Sequence, residues 1–123
     1  ILNRRSGRDL VLLSGEVGAG KTELVKCVLR LLESSETASP SFAIHHCYST
    51  REGTVDHVDL YRLETEDELE STGFWDLFSA PQGLILVEWP ERVAEKHWPL
   101  QWAKLRVRIE KESDKERVVT LCR

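Results

Sequence analysis

Hydrophobic residues along the chain fall into short blocks whose spacing changes from block to block, and the spacing predicts the elements. Residues 9–14, DLVLLS, form an almost unbroken apolar run, the pattern of a strand covered on both faces. In KTELVKCVLRLLE, residues 21–33, Leu24, Val25, Val28, Leu29 and Leu32 recur at helical spacing and leave Lys26, Arg30 and Glu33 for solvent. Residues 34–41, SSETASPS, concentrate helix breakers and hydroxyl side chains, and Pro40 pushes Ser39 into extended geometry, so a loop is expected. FAIHHCYS (42–49) and TVDHVDLYR (54–62) read as two strands of a hairpin about the glycine-containing turn TREGT.

The second half continues in the same way. Thr65 with Glu68 three positions on is a capping-box pattern, opening a short helix over 65–71 that Gly73 would end. GFWDLF (73–78) then offers Phe74, Trp75 and Phe78 for packing. GLILVEW (83–89) is a second buried strand closed by Pro90, and PERVAEKHW (90–98) allows about two turns of helix with proline at the first position. In the tail, Leu105, Val107 and Ile109 alternate with charges, a polar turn follows, and RVVTLC completes an antiparallel hairpin with one wet face. Strands interleaved with helices, without a repeat or linker, predict a single α/β domain over 1–123 with a mixed sheet.

Composition narrows the functional classes. The 123 residues, 41% of them hydrophobic, suffice for one modest core and leave no room for a separate substrate domain. A net charge of −4 gives no broad basic face of the kind that grips nucleic acid, so any RNA would be held by a partner. No apolar run approaches the roughly 18 residues of a membrane span, and ILNRRSGRDL lacks a signal-peptide core. Cys27, Cys47 and Cys122 are odd in number and widely spaced, which argues against a disulfide framework and for a reducing cytoplasm. The chain opens on isoleucine, and the expectation is that a native N-terminal segment has been trimmed or processed.

The candidate chemistry begins directly after the first strand. Gly15-Glu16-Val17-Gly18-Ala19-Gly20-Lys21-Thr22 matches G-x-x-x-x-G-K-[ST], the phosphate-binding loop. Its glycines let successive backbone N–H groups point inward as an anion nest at a helix N-terminus. Lys21 is placed to reach the β- and γ-phosphates, and the Thr22 hydroxyl to ligate a Mg²⁺ shared with them. A chance glycine turn is the plain alternative, and the buried strand before the loop and the amphipathic helix after it speak against that alternative. A Mg²⁺–triphosphate site also needs an acid at the end of a neighbouring buried strand. Glu88, closing LILVE, and Asp59, in HVDLYR, are the candidates, while Asp56 lies three residues earlier and so on the opposite face. Ser39-Pro40-Ser41 falls where a γ-phosphate-sensing segment would lie, or is an ordinary loop. Tyr61 and Arg62 either pair with acids or reach phosphate, and no obvious arginine finger stands in the sequence, with that role left open to Arg62. His45, His46, His57 and Cys47 invite a metal reading, but adjacent His45 and His46 point to opposite faces of a strand.

Taken together and in order, LSGEVGAGKT, SPSF, DLYRL, ELESTGFWDLF and LILVEWPE resemble the TsaE family, the YjeE-type P-loop ATPases of tRNA threonylcarbamoyladenosine biosynthesis. The resemblance spans roughly residues 10 to 93, and DLYRL and EWPE are its specific parts. It implies a P-loop NTPase-like three-layer α/β sandwich with a mixed parallel and antiparallel central sheet. It further implies an ATP- and Mg²⁺-dependent cytoplasmic ATPase that supports turnover of a TsaB–TsaD pair and meets tRNA only through that complex. By matched position, Val17, Gly18, Ala19, Gly20, Lys21 and Thr22 would cradle the phosphates, Thr22 and Glu88 would hold Mg²⁺, and Asp59 would support the metal or water. Ser41 would be the switch hydroxyl, standing where the family usually has threonine, and Trp89 the tryptophan of the same motif. The segment that helps bind the adenine side in the family is short or absent before the first strand, leaving base recognition unassigned. Two other classes compete. One is a small-molecule P-loop kinase, against which the lack of an arginine-rich lid between residues 63 and 100 counts, and the other is a non-hydrolytic nucleotide-gated binding module.

Overall fold

The computed structural model describes residues 7–16, 20–33, 35–36, 45–51, 53–113 and 116–122. Among the described residues seven strands make one sheet: β1 (Arg8–Ser14), β2 (Ser35–Glu36), β3 (His45–Thr50), β4 (Gly53–Asp59), β5 (Gly83–Glu88), β6 (Ala103–Lys111) and β7 (Arg117–Cys122), in the order β2-β3-β4-β5-β1-β6-β7. The four central strands β4, β5, β1 and β6 run parallel. Antiparallel partners extend the sheet on both sides, β3 and β2 beyond β4, and β7 beyond β6.

Alternation along β1 and β5 explains why both needed continuous apolar runs. Leu10, Leu12, Ile85 and Val87 face one side, while Val11, Leu13, Leu84 and Leu86 face the other. On the second side the helix α1 (Lys21–Leu31) buries Val25, Val28 and Leu29 against the sheet. On the first side lie the short helix α2 (Glu66–Ser71) and a 3-10 helix (Phe74–Ser79). Phe74, fully buried, sits at the centre of an aromatic cluster, with Trp75, Phe78 and Trp98 rings at 4.9, 5.4 and 6.2 Å. The result is the three-layer α/β sandwich with a mixed sheet.

Three local expectations change. Ser35–Glu36, inside the expected loop 34–41, pairs with Ser49 and Tyr48 as the edge strand β2, because β3 leaves an open edge there. The helix expected over 90–98 is instead two 3-10 turns, Pro90–Arg92 and Glu95–His97, since Val93 and Ala94 are extended and Val93 plugs into the core. The strand expected over 54–62 stops at Asp59, whose carboxylate accepts a bond from the Tyr61 N–H at 2.9 Å and turns the chain out of the sheet. Residues 42–44 at the start of the other expected strand lie outside the described residues.

The α2 cap forms as expected, Thr65 Oγ accepting from the Glu68 N–H at 3.2 Å. At the first position of the same helix, Glu66 accepts from His97 Nδ1 at 2.6 Å and from the Ala94 N–H at 3.4 Å, pinning the 90–98 segment to α2. The hydrogen bond from His97, first, and that from Ala94 hold the Glu66 carboxyl below its ordinary value of 4.5. The unfolded chain then binds more protons than the folded one, so this contact stabilises fully above the unfolded pKa and is lost as pH falls through the lowered folded value. The stability advantage of wild type over Glu66→Gln should therefore shrink between about pH 6 and about pH 3. Urea unfolding of both proteins across that range measures it, and a pH-independent gap would contradict it.

Candidate functional site

The carboxyl ends of β1, β4 and β5 meet where the chain leaves β1 for α1, the place at which an open parallel sheet presents its ligand crevice. An open cleft of about 440 Å³ lies there, lined by residues including Gly20, Lys21, Thr22, Asp59, Glu88 and Trp89. Residues from three separate stretches of the sequence, 20–22, 59 and 88–89, thus converge. Val17, Gly18 and Ala19 of the loop, and Ser41, lie outside the described residues.

Gly20 precedes α1 in the left-handed region, with φ 107°, a conformation that favours glycine. Among the described residues no side chain caps the helix, whose N-terminal end opens on the cleft as an anion-binding end. Lys21 is buried, donates through Nζ to the Gly15 carbonyl, and lies with Nζ 3.9 Å from the centre of the Trp89 ring. Trp89 itself adopts φ 62° and ψ 49°, although the proline that follows it disfavours helical geometry and a bulky side chain disfavours positive φ. Such strain costs about 1–3 kcal/mol. Bonds from Trp89 N–H to Leu13 O and from Arg92 N–H to Trp89 O, both 3.2 Å, hold it. Tyr61, another cleft residue, packs on the Trp89 ring at 4.9 Å.

Glu88 is 2% exposed. A buried carboxylate left unpaired would cost several kcal/mol. Here the Thr22 hydroxyl donates to it, 3.2 and 3.4 Å from its two oxygens, and His57 Nε2 donates to Oε2 at 2.6 Å. A hydroxyl and a carboxylate at this separation, beside a helix end suited to phosphate, are hard-oxygen donors of the kind that could hold Mg²⁺ with phosphates and waters as its other ligands. Asp59 is the direct register partner of Glu88, so the two acids stand side by side on the α1 face of the sheet.

The remaining expectations separate. Asp56 is on the opposite face, as alternation requires, and accepts from His45 Nε2 at 2.7 Å. His46 stacks instead on His57, its direct cross-strand partner, with ring centres 6.4 Å apart. Among the described residues no group of three or more His, Cys, Asp or Glu is placed to hold a metal ion. Arg62 is exposed and does not line the cleft. The arginine that does is Arg117, from the start of β7, whose Nε lies 3.8 Å from where a Cβ on Gly20 would be. Nothing local in the sequence marks Arg117. For His57 a signal existed, since it stands two residues before Asp59 and so shares its face.

Comparison with known proteins points to one family. The family described as threonylcarbamoyl adenosine biosynthesis protein TsaE matches residues 1–119. The chain is similar to the tRNA threonylcarbamoyladenosine biosynthesis protein TsaE of Rickettsia felis, 38% identical over 85 residues that cover 68% of this chain and 48% of that protein. It is likewise similar to the proteins of that name from Synechocystis, 39% identical over 70% of this chain and 57% of the relative, and Aquifex aeolicus, 36% over 70% and 61%. The chain thus spans about half to three-fifths of the length of these curated relatives. No helix among the described residues is long and apolar enough to cross a membrane.

Proposed function

The chain belongs to the TsaE family, whose named members are tRNA threonylcarbamoyladenosine biosynthesis proteins, and from that membership and the site's geometry we propose that it is a Mg²⁺-dependent ATPase. In this reading it acts in the cytoplasm on a TsaB–TsaD-like complex, supports that complex's turnover, and meets tRNA only through it. The observation that carries the ATPase reading is the Thr22 hydroxyl 3.2 Å from a buried Glu88 carboxylate, both lining a cleft that Lys21 and the N-terminal end of α1 share.

The roles follow from the chemistry of each group. The loop from Val17 to Thr22 binds the phosphates through backbone N–H groups, and Lys21 neutralises the β- and γ-phosphate charge. Thr22 and Glu88 hold Mg²⁺, which when bound offsets the charge that develops on the phosphate oxygens. Glu88 also orients the attacking water, with Asp59 beside it supporting metal or water. Trp89 walls the site and confines Lys21, and Ser41 is the hydroxyl that senses the γ-phosphate. The net charge of −4 is consistent with a subunit whose substrate-side contacts are made to another protein.

Phosphate release by the purified chain with Mg²⁺, alone and then with a TsaB–TsaD complex and tRNA, tests the proposal. The expected result is slow turnover alone and at least a severalfold rise with the complex. Turnover indifferent to the complex would point to a free-standing ATPase, and phosphate delivered to a small acceptor would point to a kinase. Complex-dependent nucleotide binding without hydrolysis would leave the gated binding module.

A further inference from the structure

We propose that His57 is a positioning residue: it aims the Glu88 carboxylate at Thr22 and thereby sets how tightly the site takes a divalent cation together with nucleotide. The inference rests on the Mg²⁺-nucleotide reading above and adds a residue to it.

Glu88 ends β5 with three rotatable bonds, and Asp59 stands directly opposite it on β4. Like charges at that position repel, so the Glu88 side chain needs something to fix its direction. The two acids are drawn apart by different donors. Asp59 accepts from the Tyr61 N–H at 2.9 Å, on the chain's exit from the sheet, while Glu88 Oε2 accepts from His57 Nε2 at 2.6 Å. The parallel register explains why His57 can do this. It pairs with Leu86, two residues before Glu88, which places the ring diagonally behind the carboxylate on the same face.

His57 is itself held firmly. Its side chain is 12% exposed, and its ring stacks at 26° on His46 of the neighbouring strand. The histidine does not line the cleft, so it acts through Glu88 and not on a ligand. The short hydrogen bond at Oε2 leaves the Glu88 carboxylate directed towards the Thr22 hydroxyl, the other oxygen donor of the proposed metal site. Partners that orient metal ligands in this way commonly change metal affinity by about 10–100-fold when removed.

The test measures binding, not turnover. A fluorescent ADP analogue is titrated into wild type, His57→Leu and His57→Gln in EDTA, and then Mg²⁺ is titrated at fixed analogue concentration. Leucine fills the space without a donor, and the glutamine amide restores one at similar reach. Affinity in EDTA should agree within about twofold across the three proteins, while the Mg²⁺ midpoint rises roughly tenfold or more for His57→Leu and returns most of the way for His57→Gln. Should His57→Leu fail to fold by thermal melting, His57→Asn, with a shorter amide, takes its place under the same expectation. A wild-type Mg²⁺ response left unchanged by loss of the donor overturns this inference alone. So does a fall in EDTA affinity equal to the fall with Mg²⁺, which would mean a purely structural histidine. A wild type that binds the analogue without any Mg²⁺ response overturns the metal reading and this inference together.

Discussion

Lys21→Ala is expected to remove measurable nucleotide binding while leaving the protein folded. Charge-assisted hydrogen bonds are worth about 1.5–3 kcal/mol each. Losing two of them to phosphate oxygens corresponds to roughly a hundredfold or more in Kd. The folded state has less to lose. Lys21 Nζ donates to Gly15 O within its own loop and rests on Trp89, and removing a buried ammonium also removes its desolvation cost. Calorimetric titration with ATP and a melting curve without nucleotide separate the two effects. An unchanged Kd would contradict the role given to Lys21 and with it the phosphate-loop reading. Lys21→Arg is not a neutral control, because the planar fork cannot replace a compact ammonium between Gly15 and Trp89.

The second large effect concerns Glu88→Gln. The amide matches the carboxylate in size and keeps an oxygen for His57 or Thr22 to bond, so packing around the buried position should survive. What disappears is the negative charge that, in the proposed role, attracts a divalent cation and orients water. Turnover should fall by about 10²–10³-fold, within the range assigned to positioned acid–base groups. Nucleotide affinity in EDTA should stay within about threefold of wild type. Single-turnover phosphate release with Mg²⁺ reads the first quantity and titration in EDTA the second. Hydrolysis persisting at the wild-type rate would move the catalytic acid to Asp59, its register partner.

Much of this site could be read before any fold was known, because it is written in local chemistry. The glycine spacing of residues 15–22 encodes a loop at a helix N-terminus, and the apolar runs at 9–14 and 83–88 encode strands buried on both faces. Thr65 and Glu68 announce the cap of α2, and Glu88 and Asp59 each close a strand. These features depend on neighbours within a few residues, so sequence alone determined them, and with them the α/β class and the candidate phosphate loop and acids. Tertiary structure decided which groups touch. Only the β4–β5 register sets His57 beside Glu88, and only the return of β7 along β6 carries Arg117 to the cleft. The open edge of β3 recruits Ser35–Glu36 as a strand, and burial of Val93 breaks a helical segment into two turns. In each of these the energy comes from pairing or burial between residues distant along the chain, which no local pattern records.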